Sequence, residues 1–568
     1  MREYGGVSPG PLYRPEPGPP RRRGVVALIA AGVLVLVAAG GGVSYLLLHT
    51  KGSPQQTAAS YLRAWRQRDY RAMGQVSVNV PAGGLAGPVG RAAAQLGMRR
   101  LQVSLGQVTR TGGTAQARFT ATVSLASGHA WTYQGQLRLV NRNRRWRVDW
   151  SPSAIYPGLR AAQRFVLSAT WPARAPVLAA DGTDLTTAAV AAQSGSVALL
   201  TGGVGPATKS QAKALGAPYQ AGDAVGQGGV EQAFQQRLAG RPDLTIRTEG
   251  PGHRAGSVAH RFPGSPGRAV KTSIDMRYQV AASQAIASAK TAKPIDLVAV
   301  QAATGRVLAV AERPGGFDRP LQGVFPPGST FKVVTASALT RTGLQPGSRV
   351  ACPGTVTIDG RTFHNFDNER LGTTSLLDAF AVSCNSTFAM LAAQRLTGSS
   401  LASMAVRFGF NAQPRLGIPA TLGRFTTPRQ QVDLAADAFG QGTDLVNPLS
   451  QACVAAAVDN GTWRPPQLVI SPARKQAASP RPISGQILGA LRPMMRAVVT
   501  KGTAAHVGLP PGVYGKTGTA EYGSGRNPPS HAWFIGYQGD VAFAVLVEGG
   551  GVGADKAGPV ANAFLRHL

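Results

Sequence analysis

Between Gly24 and Leu48 the chain reads GVVALIAAGVLVLVAAGGGVSYLLL, without one charged side chain. Few folds accept such a segment. At about 1.5 Å per residue, a helix of this length crosses a hydrocarbon layer of roughly 30 Å with some tilt. A cleaved signal peptide has an apolar core of only about 7–15 residues, so an uncleaved anchor is the expectation. Arg21, Arg22 and Arg23 stand directly before the run. By the positive-inside rule they keep residues 1–23, read as a disordered Pro- and Gly-rich tail, in the cytoplasm. No comparable run follows. The chain is therefore expected to be a single-pass protein of the cell membrane, with everything after Leu48 outside.

That placement decides how the charge is read. Lys and Arg number 59 against 26 Asp and Glu, a formal charge of +33. Such a balance draws polyanions, but an exported body meets anionic headgroups and acidic wall polymers, and no nucleic acid is expected. Cys352, Cys384 and Cys453 are too few for a disulfide scaffold and lack CxxC spacing, so no metal site is expected. Collagen, coiled coil and multi-pass membrane protein are excluded by the same composition.

A chain of 568 residues holds several domains. Ala58, Tyr61, Leu62 and Trp65 recur at helical spacing and form one apolar face. Alternating stretches at Arg100–Thr109, Ala115–Leu125, Trp131–Val140 and Arg144–Trp150 predict strands of an antiparallel sheet under that helix. Residues 51–150 hold fifteen Lys or Arg with only Asp69 and Asp149 as acids. A solvated face is the ordinary reading of such a run; a surface for anionic lipid or acidic wall polymer is the sharper one. The middle region is poor in pattern: Gly228–Gly240 predicts a helix start, and Gly250–Arg268 reads as an exposed loop. From Ala269 onward, a strand runs into a helix, then DLVAVQAATGRVLAVAERP predicts a hairpin turning at Thr304-Gly305. The chain ends strand-like in DVAFAVLVEGG, and an α+β domain with a central, mainly antiparallel sheet is expected.

The chemistry is concentrated there. In PPGSTFKVV, Ser329 precedes Lys332 by one helical turn, so hydroxyl and amine are neighbours. A serine needs a base to become a nucleophile, and a lysine serves if burial or a nearby cation drives it neutral. Alone the motif means little, since Ser210 and Lys213 repeat it in the middle region, just as Ser77-Val78-Asn79 repeats the S-x-N of Ser383-Cys384-Asn385. The third piece, Lys516-Thr517-Gly518, sits in a strand-like stretch. There a lysine and a hydroxyl can face a carboxylate-bearing substrate, while glycine admits close backbone approach.

S-x-x-K, S-x-N and K-T-G in this order are the signature of penicillin-binding proteins and class A β-lactamases. With FPPGSTFK, SCNSTFAMLA, FGQGTDLVNPLSQA, VTKGTA, GKTGTAE and HAWFIGY, the chain resembles a class B penicillin-binding protein. RRWRVDWSPSAIYPGL is similar to the end of the nuclear-transport-factor-like domain of the methicillin-resistance type. The middle region resembles a pedestal or dimerisation domain, departing from R-G-x-I-x-D-R where Arg174 leads Ala-Pro-Val-Leu. The resemblance implies a nuclear-transport-factor-like cone-shaped α+β domain at 53–152, a pedestal at 153–267 and a transpeptidase of serine β-lactamase-like fold at 268–568. It includes no glycosyltransferase domain.

The resemblance also implies a mechanism. Ser329 attacks the penultimate D-Ala of a peptidoglycan stem peptide, Lys332 is the base with its pKa lowered by Lys516, and Ser383 with Lys516 relays the proton to the leaving amine. Asn385 holds the donor amide and Lys332. The backbone N–H groups of Ser329 and Thr519 form the oxyanion hole, and Thr517, Gly518 and Thr519 bind the substrate terminus. The implied partners are stem peptides on a lipid-linked precursor, β-lactams, the membrane and a RodA/FtsW-type glycosyltransferase; the cofactor is none.

Cys352 is a candidate disulfide partner for Cys384 in an oxidising compartment, whereas Cys453 reads as an inert buried thiol. His364, His506 and His531 read as surface or packing residues, and Glu521 is not needed as an acid or base. The rivals are a β-lactamase, for which no water-activating E-x-x-x-N stands out, a sensor without a cytoplasmic effector, a non-catalytic scaffold, and a D,D-carboxypeptidase that the motifs do not separate.

Overall fold

The computed structural model describes residues 52–316, 318–524 and 528–568. The expected tail and anchor, residues 1–48, lie outside them. Among the described residues no helix is long and apolar enough to cross a membrane. The chain divides into two compact units, one running to Leu167 with Ile246–His260 added, the other holding Ser168–Thr245 and Arg261–Leu568.

In the first unit, helix Pro54–Gln67 starts at a reciprocal cap: Ser53 Oγ accepts from Gln56 N, and Gln56 Oε1 accepts from Ser53 N, both at 3.1 Å. Its buried face is the predicted one, Ala58, Tyr61, Leu62 and Trp65. It lies on a sheet whose strands Met98–Thr111, Thr114–Leu125, Ala130–Arg142 and Arg145–Asp149 run antiparallel. All four predicted strands are present, three of them longer than their apolar alternation. Ala115, Ala117, Phe119, Ala121, Val123 and Leu125 face inward in strict alternation. Phe119 faces Gly135 across the ladder, where a Cβ would stand 2.1 Å from the ring. The glycine lets the ring lie over the strand and meet Trp65 edge-on at 5.8 Å.

The second unit centres on five antiparallel strands in the order Val307–Arg313, Ile295–Gln301, Val541–Val547, Ser530–Gln538, Tyr514–Glu521. Their near-continuous apolar runs fit a sheet covered on both faces. Helices Met276–Ala287 and Gly553–Arg566 form one layer, Pro448–Asn460 and Gly485–Thr500 the other. Helix Lys332–Arg341 is buried from Lys332 to Thr340, as a central helix must be. Its polar members are satisfied internally: Ser337 and Thr340 donate to the carbonyls of Val333 and Ala336, and Thr335 to that of Ala438.

Two expectations are corrected. Gly250–Arg268 is not wholly loop, because Ala255–Phe262 is a strand in which Ser257 N donates to Thr248 Oγ1 at 3.1 Å. Its residues are mostly exposed, so backbone pairing rather than apolar alternation makes it a strand. The chain also does not end in a strand: helix Gly553–Arg566 follows, burying Ala557, Val560, Ala561 and Phe564 despite Pro559 inside it. In the middle region, Gly228–Gly240 forms two short helices, Gly229–Ala233 and Gln235–Ala239. Arg174 there grips buried Glu231 at 2.5 Å and its carbonyl at 2.9 Å.

Candidate active site

Ser329 lies in the tight turn Gly328–Phe331, from which helix Lys332–Arg341 continues. The turn is wedged between two other segments. Gly328 has φ +53°, and a Cβ on it would meet Thr519 O at 2.7 Å; its N–H donates to Gly440 O at 3.0 Å. Gly518 is equally committed: a Cβ there would stand 2.9 Å from Thr330 and 3.0 Å from Pro327 O. The K-T-G glycine thus lets its strand close on the nucleophile's turn, and the space beside its Cα is filled by protein.

Lys332 is fully buried. Its Nζ lies 2.9 Å from Ser329 Oγ, 2.5 Å from Ser383 O, 3.2 Å from Ser383 Oγ and 2.6 Å from Asn385 Oδ1. Even a full ammonium has three hydrogens for these four oxygens. A neutral amine has two, and its lone pair then faces one neighbour. Burial first, and the Lys516 cation second, hold the Lys332 amine well below the ordinary lysine value. The Ser329 hydroxyl is therefore placed to donate to Nζ rather than accept from it.

Ser383 links the two lysines. Its Oγ is 2.8 Å from Lys516 Nζ, which also donates to Thr517 O at 3.1 Å. Burial lowers Lys516 to about 7. Ser383 sits at φ +67° between helices Leu376–Ala381 and Asn385–Arg395, a left-handed conformation uncommon for a residue with a Cβ. Cys384 N donates back to Ala379 O at 2.8 Å, and Cys384 is joined to Cys352 by the candidate disulfide. Asn385 Nδ2 donates to His364 O at 3.1 Å. The turn that carries Ser383 is thereby fixed at both ends.

Strand Tyr514–Glu521 is the sheet's edge. The Gln441 side-chain amide lies against Thr519 O on the side away from the paired strand, where it accepts from Glu521 N at 2.9 Å and donates to Glu521 O at 3.2 Å. N–H and C=O of one strand residue point the same way, so the Thr519 N–H also faces that open edge. Thr519 Oγ1 accepts from Gly553 N at 3.3 Å, and Thr517 Oγ1 is 2.6 Å from Thr503 Oγ1. The structure brings Ser329, Lys332, Ser383, Asn385 and Lys516 into one hydrogen-bonded chain, with Thr517 bordering it. Ser210 and Lys213 are exposed on helix Lys209–Leu215, away from it.

Several site residues had no role in the sequence reading. Thr503 lies in VTKGTA and Gly440–Gln441 in FGQGTD, stretches that marked the resemblance but not their own purpose. Asp437 accepts from Thr443 N at 2.8 Å beneath this loop, and burial pushes it up to about 6. Cys453 is buried and its thiol is pushed up to about 12. His531 is buried beside Tyr522, with burial lowering it to about 4, and Glu521 is exposed.

A family model described as the penicillin binding protein transpeptidase domain matches residues 296–567. The NTF2-like N-terminal transpeptidase domain matches 53–163, and the penicillin-binding protein dimerisation domain 191–272. The peptidoglycan D,D-transpeptidase PbpA of Mycolicibacterium smegmatis is 34% identical over 278 residues, 44% of this chain and 56% of that protein. PbpA of Mycobacterium tuberculosis is 32% identical over 277 residues, with the same coverage of 44% and 56%. The chain thus spans 56% of the length of these curated relatives. The crystal structure of Pseudomonas aeruginosa PBP2 in complex with WCK 5153 shares the fold, with a TM-score of 0.58 at 24% identity over 71% of this chain and 96% of that one.

Proposed function

We propose, from the match of residues 296–567 to the penicillin binding protein transpeptidase domain, that the chain is a class B penicillin-binding protein and a membrane-anchored peptidoglycan D,D-transpeptidase with Ser329 as nucleophile. The observation that carries this reading is the path Ser329–Lys332–Ser383–Lys516, in which neither lysine has a carboxylate among its hydrogen-bond partners.

In this reading Ser329 Oγ gives its proton to neutral Lys332 Nζ while attacking the carbonyl carbon of the penultimate D-Ala. The carbonyl oxygen becomes an oxyanion held by the N–H groups of Ser329 and Thr519. As the C–N bond breaks, a proton passes through Ser383 and Lys516 to the leaving D-Ala amine. Asn385 holds Lys332 and the donor's amide; Thr517 and Thr519 take the terminal carboxylate, with Thr503 orienting Thr517. An amine of a neighbouring stem then attacks the ester, Lys332 again moves the proton, and Ser329 regains its hydroxyl. A β-lactam enters the same first step and stays as the acyl-enzyme. The sequence of steps needs no metal or organic cofactor.

The same proposal includes a single span at 24–48 with residues 1–23 in the cytoplasm, and domains at 53–152, 153–267 and 268–568. The donor is a stem peptide on a lipid-linked precursor. A RodA/FtsW-type glycosyltransferase would meet the anchor and the middle region. The test is labelling of the full chain with a fluorescent penicillin, alongside Ser329→Ala and Ser210→Ala. Label lost in Ser329→Ala alone is expected. Label retained in Ser329→Ala, or cleared within seconds from the wild type, would overturn the assignment.

A further inference from the structure

A cavity of ≈ 560 Å³ in the first unit is lined by Arg66, Arg68, Arg99 and Arg100, together with Leu101, Gln102 and Val103. Its volume falls in the range of small-ligand sites, roughly 300–1,000 Å³. All four arginines are exposed, and among the described residues no carboxylate lines it. The two acids in this stretch are engaged elsewhere: Asp69 caps Ala72 N at 2.9 Å, and Asp149 pairs with Arg138 at 3.3 Å.

The backbone is shaped for this cluster. Met98 pairs with Leu125 and Arg100 with Ser124, so Arg99 is the extra residue of a β-bulge. In a regular strand Arg99 and Arg100 would point to opposite faces; the bulge interrupts that alternation, and both residues line the cavity. Met98–Thr111 is also an edge strand, whose unpaired N–H groups add donors to the arginines. Arg68 ends helix Pro54–Gln67 at φ 59°, a conformation uncommon for a residue with a Cβ. From there its Nη2 donates to the carbonyls of Met98 and Arg99 at 3.1 and 3.0 Å. It covers the edge's first acceptors, and no other hydrogen bond of its side chain is formed among the described residues. An uncompensated cluster of like charge that is held by a bulge and a left-handed residue is better explained by a ligand than by stability.

We propose that this cavity binds a phosphate-bearing anion with at least two phosphate groups. Guanidinium forks match phosphate oxygens bidentately. One phosphate would neutralise only part of four cations, and the cavity has room for more. A phosphodiester wall polymer and an anionic lipid headgroup present the same chemistry.

The test titrates tripolyphosphate into the full chain in detergent micelles by calorimetry, at low and at physiological salt. One saturable site per chain is expected, weakened by salt and weakened about tenfold or more in Arg99→Gln/Arg100→Gln, since about 1.4 kcal/mol is one decade. Arg68→Gly removes a guanidinium while keeping the left-handed backbone, and should weaken binding in the same direction. Arg142→Gln/Arg145→Gln removes equal charge elsewhere on the sheet and should bind as the wild type does. Equal loss in that control, binding of many ions per chain, or no binding would overturn the proposal. An unchanged thermal unfolding profile and near-ultraviolet circular dichroism, to which Trp65, Trp131, Trp146 and Trp150 of the first unit contribute, verify that each variant is folded. Competition by micelles doped with cardiolipin, whose headgroup carries two phosphates, would assign the site to headgroups; its absence, with the site intact, to a phosphodiester polymer.

Discussion

Two buried clusters in the sheet-centred unit hold charge in opposite ways. Arg319 gathers three carboxylates, Asp296 at 3.3 Å, Glu312 at 3.4 Å and Glu548 at 2.9 Å. Lys332 and Lys516 are fully buried, and among the described residues neither forms an ion pair. The residue types differ for a reason. A guanidinium keeps its proton at any pH the protein meets, so burying it calls for anions. An ammonium has a second way out, which is to lose its proton. A carboxylate beside Lys332 would anchor the charged form and remove the base. The proposed catalytic core is built by leaving the counter-ion out.

The strongest attack on this comparison is Lys332→Met. Acylation by a fluorescent penicillin, followed by stopped flow, should fall roughly 10³-fold, within the range for losing a general base. Thermal stability should hold or rise, because methionine fills the same space without the cost of desolvating a buried amine. A variant that acylates within tenfold of the wild type would break the comparison at its centre.

Arg319→Met probes the other cluster. Three carboxylates would be left without their cation, and a loss of roughly 3–5 kcal/mol is expected near neutral pH by denaturant unfolding. The pH sign is fixed by the direction of the shifts. Burial raises Asp296, Glu312 and Glu548 in the folded state. A carboxyl raised in this way contributes stability that is complete below its unfolded pKa and lost as pH rises through the folded one. The deficit of Arg319→Met should therefore shrink on acidification. A deficit independent of pH would mean that packing, not charge, is what Arg319 supplies.

A third test concerns what holds the lysine core in shape. Cys352 and Cys384 are 32 residues apart, and closing such a loop is worth about 3–4 kcal/mol in the chain-entropy account. Cys352→Ala/Cys384→Ala should unfold at correspondingly lower denaturant. It should also acylate more slowly, because Ser383 adjoins the bridge at an unfavourable φ. Lower stability with unchanged acylation would detach the disulfide from the site.

The sequence made some of this legible and not the rest, for physical reasons. Helix Pro54–Gln67 and the strands after it announce themselves because each buries one face, which writes a period into the residues. The S-x-x-K pair was legible as geometry, one helical turn apart, and became specific only in company with the two later motifs. The burial of Lys332 and Lys516 was not legible, since it depends on Phe380 and Phe388, whose rings lie 5.5 and 5.6 Å from the two amines. The Arg319 cluster was invisible, because Glu548 follows a strand far along the chain from the hairpin on which Asp296 and Glu312 face each other. Strand Ala255–Phe262 escaped because its residues are mostly exposed, and helix Gly553–Arg566 because Gly and Pro559 disguise its buried stripe.

The finest test separates the two lysines. Lys516 titrates at about 7 in the folded chain against 10.5 ordinarily. Between these values the unfolded chain binds the proton and the folded one does not, so this residue makes stability rise with pH over that window. In the proposed mechanism the pair titrates together: acylation should rise as Lys332 loses its proton, and fall above about 7 as Lys516 loses the proton that this mechanism has it deliver to the leaving nitrogen. Lys516→Gln should abolish the alkaline limb. It should also move the acid limb to higher pH, since the cation that helps to depress Lys332 is gone. The shift should be small, because burial is the larger cause. The measurement is the acylation rate across pH for both proteins, with stability checked at each point. An acid limb that stays in place would mean that burial alone sets Lys332, and that the second lysine serves only to deliver a proton.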